Sequence, residues 1–518
     1  RRLRLTYRRD ALDSGYAERI AGYHVAALTA MAADPDRPLR NGDLVSEAER
    51  RFQLDDLAGP ARELPDLRFH ELFEQRVRQH PDRIAAEHAG TSWTYDELNR
   101  RANRVARAIL ARQVGAEGVV AVVLERNLDW LAAVLGILKA GAVYLPIEPN
   151  FPADRIAATL QRSGAVLAIS EPGSTTNLDP AIERTGGLAV LLAGEIQAEQ
   201  ADDSDPRVPV AAEQLAYIYF TSGSTGLPKG AMCEHLGMLN HLYAKIDDLR
   251  ITENDVVAQT APQCFDISLW QLVAALLVGG RTLIVEQSVI MDVRRYVDSV
   301  LDGRVDVVQA VPSYLEVVLA HLEERPRPLR RLRYVSVTGE AVKKELADRW
   351  LRRFPDIHLV NAYGLTETSD DTTHEVLDRV LPGERVPLGR PVSNVHVYVV
   401  DEDLRPVPLG APGEIVFSGI CVGRGYINDE ERTRAAFLTD PHRPGNRLYR
   451  SGDFGRWLPD GKLDFLGRRD AQIKIRGFRI EIGEIENTLL RVPGVRDAAV
   501  VPTEGPRAAT QLVGVYTA

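Results

Sequence analysis

The chain has 518 residues, and its 63 Lys and Arg against 73 Asp and Glu give a net charge of −10. This acidic balance argues against a nucleic-acid-binding protein, because contacts to phosphates need an excess of clustered Lys and Arg. A hydrophobic fraction of 45% and a charged fraction of 26% are typical of a globular protein. Apolar runs stay shorter than the roughly 18 residues that a membrane span needs, so we expect a protein that binds neither nucleic acid nor membrane.

Cysteine and lysine are both scarce in this chain. The three cysteines, Cys233, Cys264 and Cys421, match no disulfide or metal-site spacing, which favours a reducing, cytoplasmic compartment. Lysine occurs seven times, against 56 arginines. Where arginine supplies most of the positive charge, a lysine inside a motif indicates a site that needs a compact point charge.

The first 65 residues predict a separate unit. Leu3, Leu5 and Tyr7 alternate as in a strand, and a helical apolar face follows over residues 20–31. A helix and a strand this short form no core of their own, and a linker containing Gly and Pro comes next. We therefore expect residues 1–65 to be the end of a preceding domain and, since residue 1 is Arg, the chain to be a piece of a longer polypeptide.

From residue 66 onward the pattern predicts an α/β protein. Thr94 and Glu97 form a capping box that opens a helix, and the continuous apolar run 119–124 is typical of a strand buried on both faces. Further strands are predicted at Val166–Ser170, Ala216–Thr221, Thr282–Val285, Val305–Val308 and Tyr334–Val337. This alternation indicates mostly parallel sheets covered by helices. Shorter strands, at Val395–Val400, Gly413–Ser418 and Leu463–Leu466, predict a more antiparallel region near the C-terminus.

The most informative segment is the loop that follows the strand ending at Thr221. Residues 219–230 read Tyr-Phe-Thr-Ser-Gly-Ser-Thr-Gly-Leu-Pro-Lys-Gly. Glycines let backbone N–H groups approach an anion, the hydroxyls donate hydrogen bonds and Lys229 adds a positive charge, so the segment predicts a phosphate site. It lacks the Walker spacing of a P-loop ATPase. A flexible Gly/Ser linker is the alternative, but apolar strands flank this loop.

The loop resembles the phosphate loop of the adenylate-forming superfamily, which includes acyl-CoA synthetases, firefly luciferase and the adenylation domains of nonribosomal peptide synthetases. Further segments resemble the last group in order and spacing: Thr94–Leu98, Leu138–Pro146, Phe265–Ser268, Asn361–Glu367, Gly413–Ile415, Gly423–Tyr426, Tyr449–Asp453 and Gly467–Glu486. The resemblance covers about residues 66–518. The N-terminal piece resembles the end of a condensation domain.

This resemblance implies an α/β fold of the adenylate-forming type. Its large subdomain has two mostly parallel, helix-flanked sheets and a distorted β-barrel, and its small, mobile C-terminal subdomain is α+β. The implied domains are the tail of a condensation domain with a linker over 1–65, the large adenylation subdomain with the ATP and amino-acid site over 66–469, and part of the small subdomain over 470–518. Intact members continue to a lysine that bridges the amino-acid carboxylate and the α-phosphate. Since that lysine lies beyond Ala518, we expect this chain to bind both substrates and to adenylate slowly or not at all.

The implied reaction has two steps. ATP and an amino-acid carboxylate give aminoacyl-AMP and pyrophosphate, and the aminoacyl group then passes to a phosphopantetheine thiol on a carrier domain. ATP and Mg²⁺ are the implied cofactors. The implied partners are the carrier domain, an upstream condensation domain and, as in some relatives, a small MbtH-like protein docked around residues 432–437.

The resemblance also implies roles for individual residues around ATP. Thr221 and Lys229 hold the β- and γ-phosphates, Thr366 contacts the α-phosphate, and Glu367 binds Mg²⁺, a hard cation that prefers oxygen ligands. Asn361 meets the adenine edge. Tyr363 stacks on adenine, and Asp453 accepts the ribose hydroxyls. The other implied ATP-binding residues are Ser222, Gly223, Ser224, Thr225, Gly226, Gly339, Glu340, Ala341, Ala362, Gly364, Phe465 and Arg468.

The C-terminal subdomain contributes two further implied residues. Asp470 resembles the hinge about which the small subdomain rotates between the two steps. Residues 472–477 alternate as a strand does, which places Lys474 and Arg476 on one face. Gly477 resembles the position where the backbone passes close to the pantetheine arm. Lys474 is therefore implied to act in catalysis, although a solvated strand edge explains the same pattern.

Asp266 indicates that the substrate is an amino acid. An α-ammonium group bound away from water needs a countercharge, because an unpaired buried ion is costly. The family places this aspartate in the Phe265–Ser268 motif, and acyl-CoA synthetases generally lack it. Taken alone, Asp266 could equally be a helix cap.

The remaining pocket residues are implied by register: Ile267, Trp270, Gln309, Ser336, Thr338, Ala362, Asp370 and Asp371. Two adjacent carboxylates in a pocket repel each other unless a cation lies beside them. We therefore expect a basic substrate such as 2,4-diaminobutyrate, ornithine or lysine. The alternative is a solvated turn in which Asp370 and Asp371 point outward.

Two other functions fit parts of the pattern. A freestanding acyl- or aryl-CoA synthetase would use the same phosphate loop, but Asp266 and the N-terminal segment argue against it. A non-catalytic scaffold derived from the same fold is the other alternative. Pyrophosphate exchange with amino and fatty acids separates the three.

Overall fold

Three sheets organise the chain in a computed structural model, which describes residues 3–10, 12–36, 44–223, 228–468, 472–504 and 510–517. The helices are α1 (Ser14–Ala33), α2 (Glu47–Arg51), α3 (Phe69–Gln79), α4 (Tyr95–Ala111), α5 (Leu128–Lys139), α6 (Ala153–Ser163), α7 (Leu178–Thr185), α8 (Ala193–Glu199), α9 (His235–Asp248), α10 (Ile267–Val278), α11 (Gln287–Ile290), α12 (Val293–Asp302), α13 (Pro312–Glu324), α14 (Lys344–Arg353), α15 (Glu430–Ala436) and α16 (Ile482–Leu489). A π-helix covers Phe52–Asp56, and a 3₁₀ helix covers Thr366–Thr368.

The strands are β1 (Ile84–His88), β2 (Thr91–Thr94), β3 (Val119–Val123), β4 (Val143–Pro146), β5 (Leu167–Ser170), β6 (Ala189–Leu192), β7 (Leu215–Thr221), β8 (Lys229–Glu234), β9 (Val256–Gln259), β10 (Arg281–Ile284), β11 (Val307–Ala310), β12 (Tyr334–Val337), β13 (His358–Leu365), β14 (Asp370–Leu377), β15 (Arg390–Pro391), β16 (Val395–Val400), β17 (Gly413–Gly419), β18 (Gly425–Tyr426), β19 (Phe437–Thr439), β20 (Arg447–Trp457), β21 (Leu463–Arg468), β22 (Gln472–Ile475), β23 (Phe478–Glu481), β24 (Asp497–Glu504) and β25 (Thr510–Thr517).

The two large sheets are mixed, with parallel strands at their centres. One has nine strands in the order β15-β14-β13-β12-β11-β9-β10-β1-β2, and the other has seven in the order β18-β8-β7-β4-β3-β5-β6. The third sheet is antiparallel and contains β16, β17, β19, β20 and β21. The small C-terminal part contributes the hairpins β22-β23 and β24-β25.

One hydrophobic core joins the two large sheets. It contains residues of β3, β4 and β7 from one sheet and of β9 to β13 from the other, with α3, α4, α5, α9 and α10 packed among them. Every residue of α5 except Asp129 is buried, and α10 is buried from Ser268 to Leu277. Such helices are apolar all round because both of their sides face protein.

The predicted local signals correspond to the elements observed. Thr94 accepts the backbone N–H of Glu97 at 3.1 Å, and Glu97 accepts that of Thr94 at 2.8 Å, so the capping box at the start of α4 is confirmed. The apolar run that begins at Val119 is the fully buried strand β3. The other predicted strands are observed with ends shifted by at most two residues.

The predicted N-terminal strand is wrong. Residues 3–8 form no strand and pair with no strand in the part of the chain that the structure describes, and Leu3 and Leu5 are 53% and 39% exposed. An alternating pattern forms a strand only where a neighbouring strand pairs with its backbone N–H and C=O groups. Leu3, Leu5 and Tyr7 have no such neighbouring strand among the described residues. The helical pattern over 20–31 is confirmed as α1.

Parallel strands bring the predicted pocket residues to one edge of the nine-stranded sheet. Gln309 of β11 is the register partner of Ser336 of β12, and Val337 pairs with Asn361 of β13. In open α/β sheets, ligands bind at the carboxyl ends of the strands, and Thr338 directly follows β12 at this edge. Among the described residues, none of the helices combines the length and apolar character that crossing a membrane requires.

Candidate active site

The β7-β8 hairpin positions the predicted phosphate residues. Thr221 ends β7 and is the register partner of Lys229, which begins β8. The Thr221 hydroxyl oxygen is buried and has no hydrogen-bond partner among the described residues. Ser222 and Gly223 follow Thr221 in the loop, whereas Ser224, Thr225 and Gly226 lie outside the described residues.

Lys229 lies against the predicted magnesium ligand. Its Nζ is 3.0 Å from Oε1 of Glu367 and 3.0 Å from the hydroxyl of Tyr426. The Tyr426 hydroxyl donates to the same carboxylate oxygen at 2.8 Å, and Glu367 is completely buried. A buried carboxylate therefore stands beside a cation at the end of the phosphate loop. Sequence reasoning gave Tyr426 no role, although it ends a segment that carries the family resemblance.

A second polar group lies on the predicted adenosine side. The Tyr363 hydroxyl donates to Asp453 at 2.6 Å, and Arg468 donates to the other Asp453 oxygen at 2.5 Å. Burial and the adjacent Asp453 hold the pKa of Tyr363 well above its ordinary value, so its phenol remains a donor. Phe465 lies 6.1 Å from Tyr363, centroid to centroid, and the Asn361 amide donates to the Pro387 carbonyl at 2.7 Å.

The C-terminal hairpin β22-β23 contacts this side of the site. The backbone N–H of Gly477 donates to Glu340 at 3.1 Å, and Lys474 Nζ is 5.8 Å from the Tyr363 ring centroid. The rings of Phe478 and Phe265 meet edge to face, with centroids 5.0 Å apart. Gly339 has φ +86°, and a Cβ on it would lie 3.3 Å from Cα of Gly477. Ala341 is exposed beside this turn, and Asp470 lies outside the described residues.

Asp266 joins the phosphate side to the amino-acid side. It accepts the backbone N–H of Ile267 at 2.9 Å, so it caps α10 as the alternative interpretation proposed. Burial raises the pKa of Asp266 to about 6. Thr366, next to Glu367, lies near enough to lower the pKa of this carboxyl group. Capping the helix and facing the pocket are therefore compatible roles for this residue.

The adjacent carboxylates Asp370 and Asp371 are both buried, at 5% and 3% exposure, so the solvated-turn alternative is wrong. Their position depends on an unusual backbone. Ser369 and Asp370 have φ values of +58° and +86°, in the left-handed region. A Cβ at Gly364 would lie 1.9 Å from the Asp370 carbonyl oxygen, so only glycine permits this close approach.

Lys245 is the functional residue that sequence reasoning missed. It extends from α9 and is completely buried, with its Nζ 2.6 Å from Oδ2 of Asp371. The same ammonium lies 3.4 Å from the Ser336 hydroxyl and 4.8 Å from the centroid of the Trp270 ring. Three predicted pocket residues therefore surround a cation of the chain itself. Its signal in the sequence is that it is one of only seven lysines.

The two carboxylates differ in charge. Burial, Asp371 and Asp266 raise the pKa of Asp370 well above its ordinary value. Burial also opposes ionisation of Asp371, but the Lys245 ammonium, with His241 and His374 nearby, holds the pKa of Asp371 well below its ordinary value. These surroundings favour the ionised form of Asp371 beside Lys245 and the protonated form of Asp370.

Histidines complete the surroundings of these carboxylates. His241 lies 3.7 Å from Asp370 and 3.8 Å from Asp371, and burial lowers the pKa of His241 to about 4, so it is neutral at pH 7. His374 has a carboxylate partner of its own in Asp248, at 2.6 Å. His241, Asp370 and Asp371 are close enough together to hold a metal ion, but the Lys245 ammonium occupies the position beside Asp371.

The other predicted pocket residues lie around this charged group. Thr338 donates to Asp371 at 3.2 Å. The indole N–H of Trp270 and the amide nitrogen of Gln309 are buried, with no hydrogen-bond partner among the described residues. Ala362 is buried on β13, and Ile267 is half-buried at the start of α10.

This geometry can be compared with known proteins. The family model described as AMP-binding enzyme matches residues 73–427, which include the phosphate loop and the pocket. The chain belongs to the family of AMP-binding enzymes. This AMP-binding enzyme is 36% identical over 448 residues to tyrocidine synthase 1 of Brevibacillus parabrevis, with 86% of this chain and 40% of that protein covered. It is 33% identical over 520 residues to surfactin synthase subunit 2 of Bacillus subtilis, with 100% of this chain and 14% of that protein covered. The chain thus spans less than half the length of these relatives.

Solved structures agree with this assignment. The nonribosomal peptide synthetase FmoA3 with α-methyl-L-serine-AMP bound matches the AMP-binding enzyme with a TM-score of 0.80 and 30% identity, covering 92% of this chain and 53% of that one. A nonribosomal peptide synthetase protein containing adenylation and PCP domains matches with a TM-score of 0.78 and 27% identity, covering 90% of this chain and 77% of that one. The predicted adenylate-forming fold and the resemblance to adenylation domains are confirmed.

Proposed function

We propose that this chain activates an amino acid with ATP as aminoacyl-AMP and then transfers the aminoacyl group to the phosphopantetheine thiol of a carrier domain. The observation that carries the proposal is the position of Asp266, which caps α10 and lies near enough to Thr366 for Thr366 to lower its pKa. In an α-amino acid the ammonium and the reacting carboxylate lie on neighbouring carbons. A countercharge for the ammonium must therefore stand next to the residues that hold the α-phosphate, and Asp266 does.

The phosphate residues provide the charge control that this reaction needs. A carboxylate that attacks an α-phosphate meets oxygens that are already negative, so preorganised cations and donors lower the barrier. Lys229, Thr221 and Thr366 are the residues of this chain that supply them. Glu367 fits a Mg²⁺ ligand, because it is a buried carboxylate whose charge Lys229 now offsets. When bound, Mg²⁺ would neutralise negative charge on the phosphates.

The adenosine moiety would be held by the group around Asp453. Asp453 is oriented by Tyr363 and Arg468 and presents a carboxylate suited to two ribose hydroxyls. Asn361 would meet the adenine edge, and the ring of Tyr363 would stack on the base. Removing the Asp453 carboxylate should therefore raise the KM for ATP more than that for the amino acid.

Transfer to a carrier domain would use the hairpin that contains Gly477. Its contact with Glu340 brings backbone to the adenosine side of the site, where a pantetheine arm must arrive to reach the aminoacyl carbon. We propose residues 66–469 as the large adenylation subdomain, 470–518 as part of the small one with Asp470 as its hinge, and 1–65 as the tail of a condensation domain. An MbtH-like protein near residues 432–437 is a further proposed partner.

The charges of the pocket favour a basic substrate. Asp266, Asp370 and Asp371 are three carboxylates, and Lys245 neutralises only Asp371. The α-ammonium would pair with Asp266, which leaves Asp370 for a second cation. A diamino acid such as 2,4-diaminobutyrate, ornithine or lysine supplies it and would ionise Asp370 on binding.

Amino-acid-dependent ATP–pyrophosphate exchange tests the proposal. It should be run on residues 1–518 and on a longer chain that continues to the lysine that the family resemblance places beyond Ala518. We expect diamino acids to drive exchange. Exchange driven by fatty or aryl acids would instead support a CoA synthetase, and binding of neither substrate would support a scaffold.

A further inference from the structure

The ammonium of Lys245 occupies space among residues that the proposed function assigns to the substrate. Its contacts are Asp371, Ser336 and the face of Trp270, at 2.6, 3.4 and 4.8 Å. Each of these three residues stands on a different element, namely β14, β12 and α10, while Lys245 enters from α9. The end of the side-chain pocket is therefore filled by a side chain of the protein itself.

This position has a consequence for charge. A substrate side chain long enough to reach Asp371 would bring a second ammonium to a carboxylate that Lys245 already neutralises. Two like charges at one buried partner repel each other strongly, because the surrounding protein screens them less than water does. The carboxylate of Asp248 is already paired with His374, at 2.6 Å.

The carboxyl group that remains for a substrate is that of Asp370. It stands within 4.8 Å of the ligand atoms of Asp371 and His241, and its charge is coupled to Asp266 as well as to Asp371. Asp370 therefore lies near both the α-ammonium site and the Lys245 pair, since Asp371, Asp266 and Lys245 all act on its pKa. A short diamino acid would pair with Asp266 and Asp370 and would not need to reach Asp371, where Lys245 already lies.

We propose that Lys245 is a specificity-determining residue that closes the side-chain pocket, so that the enzyme selects a short diamino acid such as 2,4-diaminobutyrate and rejects ornithine and lysine. This inference rests on the proposed function and names the substrate class within it. Lys245 acts here through occupied space and through its pairing with Asp371, and it takes no part in the transfer itself.

The test compares kcat/KM for 2,4-diaminobutyrate, ornithine and lysine in pyrophosphate exchange, using the longer chain. The wild-type protein should prefer 2,4-diaminobutyrate over lysine by about tenfold or more, the range that one or two methylenes decide in a pocket. Lys245→Ala should reverse this order, because the longer ammonium then fills the vacated space and pairs with Asp371.

A matched control uses the other completely buried lysine, Lys139, which is paired with two acids. Lys139 is completely buried and contacts Glu74 and Asp205, outside the predicted site. Lys139→Ala should lower stability without changing the order of the three substrates. If Lys245→Ala fails to fold, the double variant K245M/D371N removes both charges together and should still exclude lysine while it accepts 2,4-diaminobutyrate.

The outcomes separate the inference from the proposed function. A wild-type protein that activates amino acids but ranks lysine or ornithine first contradicts the inference alone. A folded Lys245→Ala protein whose substrate ratios stay within twofold of wild type contradicts it as well. A wild-type protein that activates no amino acid contradicts the proposed function, and the inference with it.

Discussion

The phosphate side and the side-chain pocket balance charge in different ways. On the phosphate side, Lys229 pairs with Glu367 at 3.0 Å, and both belong to segments that the sequence already marks. In the pocket, Lys245 pairs with Asp371 at 2.6 Å, and it lies on a helix that carries no recognised motif. Residues for the chemistry that a family shares lie in short sequence motifs. The residues that balance charge in one substrate pocket are distant in sequence and are brought together only by the fold.

The largest expected effect lies on the phosphate side. Glu367→Gln should lower the rate of pyrophosphate exchange by about 10²–10³, since it removes a preorganised charge at the site of phosphoryl chemistry. Lys462→Met is the control, because Lys462 pairs with Glu375 outside the site. Equal exchange rates for the wild-type protein and Glu367→Gln would show that the Glu367 carboxylate does not contribute to adenylation.

The next effect concerns stability and involves both completely buried lysines. Lys245→Ala and Lys139→Ala should each lower the free energy of unfolding by about 3–5 kcal/mol, because each removes a completely buried ammonium from its carboxylate partners. Urea titration of each variant measures the loss. Lys462→Ala should cost less, about 1 kcal/mol, because the Lys462 side chain is 24% exposed and water can take its place beside the buried Glu375. Similar losses for all three variants would contradict the distinction between buried and partly exposed pairs.

A smaller effect is expected for pH. Because burial raises the pKa of Asp266 to about 6, this carboxyl group is protonated in the empty pocket below that pH. The α-ammonium stays protonated over the same range, so affinity for 2-aminobutyrate, which has no second ammonium for Asp370, should rise about tenfold per pH unit up to about 6 and then level off. Calorimetric titration between pH 5 and 8 measures this. An affinity that stays constant from pH 5 to 7 would mean that Asp266 does not pair with the ammonium.

The smallest expected effect lies in the C-terminal hairpin. Gly477 has φ +79°, and a Cβ there would lie 2.5 Å from a methyl carbon of Val311, so Gly477→Ala should disturb the contact with Glu340. We expect about a tenfold slower transfer to the carrier thiol. Pyrophosphate exchange should change less than twofold, because adenylation precedes this step. Equal slowing of both steps would show that the hairpin also serves adenylation.

Much of the fold followed from local signals in the sequence. The capping box at Thr94 and the apolar strand that begins at Val119 are patterns that depend on neighbours in the chain, so they were predictable. Leu3 and Leu5 show the limit, since an alternating pattern without a partner strand formed no strand.

The candidate site was also predictable only in part. Asp370 and Asp371 were identified by register with family motifs, and the structure places both in a buried pocket. Two adjacent carboxylates need a nearby cation, and no Lys or Arg close to them in the sequence provides that cation. From the sequence alone, the cation was therefore assigned to the substrate. Lys245 is 126 residues before Asp371, so its pairing depends on how α9 packs against β14.

The most direct test of the central claim compares three small molecules in pyrophosphate exchange by the longer chain. 2,4-Diaminobutyrate carries both amino groups, 2-aminobutyrate lacks the one assigned to Asp370, and 4-aminobutyrate lacks the one assigned to Asp266. If both carboxylates recognise ammonium groups, 2,4-diaminobutyrate should exceed each of the others in kcat/KM by about 100-fold, the usual loss when one partner of a buried charge pair is removed. Equal activation of 2-aminobutyrate and 2,4-diaminobutyrate would contradict the account.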